Sequence, residues 1–191
     1  MRKALVFLLC LAPLAPLAWR GARHELGANP IEFITHATGD WTLRFLLLTL
    51  AITPGLIRYR RMLGLFAFFY ATLHFTTYVW LDKFFDLPEM LKDVAKRRFI
   101  TAGALALLAM TPLAITSTAG WIRRLGGRNW QRLHRLVYVS AAAGVVHYWW
   151  LVKSDIREPA AYGVALAILL GLRKMGQPGM APYSKKRTIP G

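Results

Sequence analysis

The acidic residues of this chain are confined to alternate gaps between apolar segments, and that sorting restricts the fold more than any other feature. Six apolar segments divide the sequence, approximately Leu5–Trp19, Thr42–Ile57, Met62–Leu81, Phe99–Ile115, Leu133–Val152 and Ala160–Leu172. One set of gaps and ends carries arginine and lysine, including Arg2, Lys3, Arg58, Arg60, Arg61, Arg123, Arg124 and Arg173, and no acid. The other set holds all nine acids, from Glu25 to Glu158. Six alternating spans produce this pattern, so the expected fold is an all-α, polytopic membrane protein with a six-helix bundle. Lysine and arginine remain on the cytoplasmic side of a membrane. Both termini are therefore expected in the cytoplasm, with the acidic loops facing outward.

Composition supports this reading. The chain has 191 residues, 55% of them hydrophobic, and a formal net charge of +16. In a soluble protein that charge would imply nucleic acid. Distributed as it is here, it reflects topology, and no nucleic-acid partner is expected. The single cysteine, Cys10, excludes an internal disulfide framework and a cysteine-rich metal site. No C-x-x-C-H is present for covalent haem attachment. Pro13 and Pro16 interrupt the first segment, which reads either as a signal peptide or, preferably, as a retained span. The expected domain covers residues 1–175, and the Gly-, Pro- and Lys-rich tail 176–191 reads as disordered and cytoplasmic. Trp80, Trp149 and Trp150 fall at outer span ends, as interfacial anchors do.

Of the five histidines, three lie in or beside spans. His74 follows Arg61 by 13 residues and His147 follows Arg135 by 12, on two spans that run in the same direction. The two are matched in depth, and a facing pair of neutral imidazoles suits the axial positions of an iron porphyrin. Hydrogen bonding to backbone and a proton path are the alternatives for each histidine. Zinc lacks a third and fourth ligand of suitable type. His134 precedes His147 by 13 residues, which on one ideal helix is about 19 Å of rise and about 140° of rotation. Its inner partner on span three would fall near Arg60 or Arg61, and arginine cannot ligate iron. A second haem, an alternative ligand, and orientation of a propionate or another cofactor all remain open for His134. His24 and His36 belong to the outer loop.

Three stretches carry a family resemblance: NPIEFITHATGDWTLRFLLLTLAITP, RRMLGLFAFFYATLHFTTY and TSTAGWIRRLGGRNWQRLHRLVYVSAAAGVVHYWW. With them the chain resembles the YedZ/MsrQ family, the haem-binding membrane subunits of bacterial methionine sulfoxide reductase systems, within the ferric-reductase-like transmembrane superfamily. The resemblance implies haem b between the third and fifth helices, with His74, His134 and His147 associated with it and His74 and His147 on the iron. It also implies FMN as a cofactor and a place in the bacterial inner membrane. Electrons would come from the quinone pool or a cytosolic flavin reductase. They would pass to a periplasmic molybdenum-containing methionine sulfoxide reductase subunit. Arg61 stands where some relatives of the superfamily have a further histidine. Arg61, Arg128, Arg132 and Arg135 are candidate contacts for propionate, quinone or flavin phosphate, with anionic membrane lipid as the simpler partner. No G-x-G-x-x-G or P-loop is present. The rival readings are a stand-alone ferric or quinone reductase and a histidine-relay proton channel or transporter.

Overall fold

The computed structural model describes residues 2–52 and 57–175. The tail 176–191 lies outside them, and so does the expectation of its disorder. All regular structure among the described residues is helical.

α1 (Arg2–Leu11) and α2 (Leu14–Ala22) form a rod bent by 41°. Pro13 sits at the bend, where it has no N–H to donate and its ring crowds the turn before it. α3 (Pro30–Ala51) opens on Asn29, whose side chain accepts from the Glu32 amide at 3.2 Å, with Pro30 in the first turn. α4 (Ile57–Thr76) continues as a π-helical stretch over Thr77–Asp82. The acidic loop expected after it folds instead into α5 (Leu87–Lys96), capped by Asp86. α6 (Arg98–Ile115) is followed by two short helices, α7 (Ala119–Leu125) and α8 (Gly127–Leu133). α9 (Leu136–Leu151) and α10 (Arg157–Met175) complete the bundle.

Named contacts fix the helix directions. His74, late in α4, bonds to Thr35, early in α3. His147, late in α9, bonds to Phe99, early in α6. The two histidines also face each other. The ends of α4 and α9 therefore share one end of the bundle with the starts of α3 and α6. Tyr148 donates to Glu158 and brings the start of α10 to that same end. At the other end Thr116, just past α6, meets His134, just before α9. Arg173, late in α10, lies over Tyr138, early in α9. Phe7 packs on Phe66 and Cys10 on Tyr70, so α1 runs parallel to α4. The result is one acidic end, which holds His74 and His147, and one basic end, which holds His134.

Two helices are long and apolar enough to cross a membrane, Ile57–Asp82 and Arg98–Ile115, and the bent α1–α2 pair makes a third if it is one span. Six such spans were expected. α3 falls short because Asp40 and Arg44 interrupt its apolar run. α9 falls short because it has only 16 residues, about 24 Å of helix. The apolar segment Leu133–Val152 is thus not one continuous helix. The chain turns at His134 and Arg135, where the Arg135 amide bonds Arg132 and the Tyr138 amide bonds Arg135, each three residues back.

The core lies where α3, α4 and α9 meet, around Phe45, Leu46, Phe66, Ala67, Tyr70, Ala141 and Val145. Tyr70 is 1% exposed, stacks on Phe45 at 5.3 Å and donates to the Cys10 carbonyl at 2.9 Å. That bond ties α1 to the core. Tyr70→Phe keeps the ring but leaves the bond unmade, and is expected to cost about 1 kcal/mol, read as a lower thermal unfolding midpoint in detergent.

Candidate functional site

Two helical hairpins present His74 and His147 in the same way. The His74 Nδ1 lies 2.9 Å from the Thr35 carbonyl oxygen, and the His147 Nδ1 lies 2.6 Å from that of Phe99. A carbonyl only accepts, so each Nδ1 carries the proton and donates it. Each ring then keeps its lone pair on Nε2. A ligating imidazole typically shows this arrangement, with its other nitrogen held by a backbone acceptor. The ring centres are 5.9 Å apart and the ring planes cross at 85°.

Each ring is seated against a glycine four residues beyond its acceptor, Gly39 after Thr35 and Gly103 after Phe99. A Cβ on Gly39 would lie 3.1 Å from the His74 Nδ1, and a Cβ on Gly103 would lie 2.8 Å from the His147 Nδ1. The absent side chains let the imidazoles approach the facing helix closely enough to reach its carbonyls. The sequence alone does not single out the acceptors Thr35 and Phe99 or the two glycines. The one signal was the pair of matching clusters LHFTTYVW and VVHYWWLV, each a histidine followed by aromatics. Gly64 and Gly144 pack differently, against Thr49 and Leu43.

The helix after His74 becomes π-helical, a form concentrated at functional sites. It leads to Lys83 and to an ion network that holds α5 over the acidic end. Asp93, 3% exposed, accepts from Lys83 at 2.7 Å, Arg97 at 3.0 Å and Tyr78 at 3.2 Å. Burial pushes its carboxyl upward, but the hydrogen bonds from Lys83 and Tyr78 and the charge of Arg97 outweigh burial and hold its pKa below the usual value. A depressed folded-state pKa stabilises above the unfolded value of about 4 and loses that contribution as pH falls through the folded one. Amide exchange protection of α5 is therefore expected to hold from neutral pH to about pH 4 and to fail below it.

His134 stands apart. Its ring stacks on Trp130 with centres 3.8 Å apart, and the Trp130 indole donates to the Thr116 carbonyl at 2.8 Å. The Thr116 hydroxyl spends its proton on the Pro112 carbonyl at 2.6 Å. The His134 Nε2, 3.0 Å from that hydroxyl, must then be the donor, which leaves its lone pair on Nδ1. His134 is therefore the opposite tautomer to His74 and His147. Arg60, not Arg61, is the arginine whose charge reaches His134. Arg173 shares that region with one buried Nη1 lacking an acceptor among the described residues. Arg61, Arg128, Arg132 and Arg135 are exposed, and among the described residues their side chains make no hydrogen bond or ion pair. His36 makes a 3.9 Å contact with Glu32 on the exposed side of α3. Among the described residues no group of three or more His, Cys, Asp or Glu is placed to hold a metal ion.

The model of the family described as "Ferric reductase like transmembrane component" matches residues 30–145, a stretch that includes His74, both acceptors Thr35 and Phe99 and both seat glycines, and ends two residues before His147. A protein from Herminiimonas arsenicoxydans named "Protein-methionine-sulfoxide reductase heme-binding subunit MsrQ" is 58% identical, over 90% of this chain and 83% of its own length. Proteins of the same name from Caulobacter vibrioides and Xanthomonas euvesicatoria are 51% and 48% identical, over 87% and 98% of this chain and 83% and 92% of their own lengths. No solved structure matches. With the match spanning α3 to α9, and relatives about half identical along nearly the whole chain, the protein belongs to the ferric-reductase-like transmembrane family, among its MsrQ haem-binding subunits.

Proposed function

We propose that the chain is an inner-membrane electron conduit in which His74 and His147 hold the iron of one haem b at the acidic end. The observation that carries this is the facing pair itself, each Nδ1 engaged by a carbonyl and each Nε2 left with its lone pair. The residues fit the group. Two imidazoles sharing one metal, each nitrogen about 2 Å from it, have ring centres roughly 6 Å apart, and these lie 5.9 Å apart. Bound there, haem supplies a one-electron carrier. The protein's part is to fix tautomer and ring direction through Thr35 and Phe99 and to keep the pair close through Gly39 and Gly103.

The six helical runs α1–α2, α3, α4, α6, α9 and α10 are read as six crossings, with the basic end in the cytoplasm by the positive-inside rule. The acidic end is then periplasmic. Electrons from the quinone pool or a cytosolic flavin reductase leave there for a molybdenum-containing methionine sulfoxide reductase subunit. Asp82 and Glu89 remain exposed for docking, whereas Asp93 is committed to its ion network. For FMN the sequence has no glycine-rich phosphate loop, and no step is assigned to it.

The test uses the purified protein in mild detergent. A low-spin Soret spectrum is expected. With a catalytic amount of the periplasmic molybdenum subunit, the dithionite-reduced form should be fully reoxidised only when methionine sulfoxide is present. Equally fast reduction of iron chelates without that partner would favour a stand-alone reductase. A purified protein with no Soret band would overturn the haem reading in favour of a proton relay.

A further inference from the structure

The basic end holds a furrow that the electron path does not use. It lies between α1 and α4, has a volume of about 490 Å³, and is lined by Lys3, Arg58 and Arg61 at one end and by Phe7, Leu65 and Phe69 along its length. Its two parts differ in chemistry. Three cations gather at the mouth, and the sequence places no acid in that end of the chain. Among the described residues none of the three is paired with a carboxylate. The remainder of the lining is apolar, with Phe7 48% and Phe69 37% exposed. Phe7 packs on Phe66 at 5.2 Å, and Tyr70 bonds the Cys10 carbonyl, so both walls belong to the packed fold.

We propose that this furrow binds one anionic phospholipid, its phosphate on Lys3, Arg58 and Arg61 and an acyl chain along Phe7, Leu65 and Phe69. Charge complementarity selects the headgroup, because a zwitterionic lipid brings its own cation to the cluster. The apolar walls select an amphiphile over a free phosphate, which would leave them uncovered. Basic pockets between membrane helices take acidic headgroups in this way. The site gives Arg61 a role beside α1, and it is independent of the haem assignment. A lipid seated there joins α1 to α4 at the end opposite the Tyr70 bond.

Native mass spectrometry of the purified protein tests it, with phosphatidylglycerol, cardiolipin or phosphatidylethanolamine added in detergent. Retention of the two anionic lipids at least tenfold above phosphatidylethanolamine is expected. The K3Q/R58Q/R61Q variant should lose that preference, and Leu65→Trp, which fills the furrow without changing charge, should lose retention of all three lipids. R123Q/R124Q, an equal class of change elsewhere at the basic end, should leave retention unchanged. Glycerol phosphate at millimolar concentration should not displace the lipid. Equal retention of zwitterionic lipid, equal loss in R123Q/R124Q, or displacement by glycerol phosphate would each overturn the proposal. Only variants that keep the wild-type circular dichroism spectrum are compared, and the lipid preference of the wild type decides by itself if the triple variant does not fold.

Discussion

Replacing His147 with alanine is expected to abolish the low-spin haem spectrum and to lower the haem-to-protein ratio by roughly tenfold or more, the scale on which weaker changes around a metal ligand already act. The reason is the tautomer. With Nδ1 committed to Phe99, the Nε2 lone pair is the ring's only means of binding iron, and alanine removes it. His74→Ala removes the matching lone pair and should have the same effect. Imidazole added to either variant should restore a low-spin spectrum, because the deleted ring leaves room for it. A merely structural role for these histidines would give no such rescue. His134→Ala should leave the spectrum of the pair intact, since its ring belongs to the Trp130–Thr116 cluster at the other end. Survival of the low-spin spectrum in both His74→Ala and His147→Ala would dismiss the pairing.

Adding one methyl group at Gly103 is the second large effect. Its Cβ would stand 2.8 Å from Nδ1 and 3.0 Å from Cε1 of His147, closer than such contacts occur. The ring cannot withdraw without giving up its bond to Phe99, which is only 2.6 Å long. Gly103→Ala is therefore expected to weaken haem binding about 10- to 100-fold, the cost of disturbing an outer-shell partner. Gly39→Ala meets His74 at 3.1 and 3.2 Å, a milder overlap, and should retain haem with a shifted potential. The sign of the control is informative. Glycine inside a helix is less stable than alanine by about 0.5–1 kcal/mol, so neither substitution should lower helicity by circular dichroism. Loss of haem with unchanged helix content would assign the effect to the ring seat. Equal haem affinity in Gly103→Ala and wild type would show that the seat does not matter.

The sorted charges already imply the direction of the helices. Because carboxylates and guanidinium groups are costly inside a bilayer, they mark where the chain leaves it, and the contacts of the histidines, Thr116 and Arg173 place the helix ends in that same alternation. The choice of His74 and His147 as partners was legible for the same reason, since depth can be counted from the nearest arginine. Rotation about a helix axis cannot be counted in this way, and apolar runs do not show where a helix breaks. His134 and His147 share one apolar run, yet a turn at Arg135 separates them, stabilised by Trp130 and Thr116 from outside the run. Arg60 and Arg61 are neighbours in sequence, but successive helix residues lie about 100° apart. Of the two, Arg61 alone lines the furrow beside α1. Asp93, counted among outward-facing acids, is buried where Tyr78 and Lys83, from the π-helical stretch and its end, and Arg97, from the end of α5, converge on it.

By itself the sequence determined that the chain enters the membrane and which two histidines lie at one depth, because charge and hydropathy act residue by residue. Tertiary structure alone decided which carbonyl holds each ring, which tautomer each histidine takes and which arginine faces which neighbour. Those properties depend on atoms tens of residues apart meeting at hydrogen-bond distance, and only packing against a facing helix brings them there.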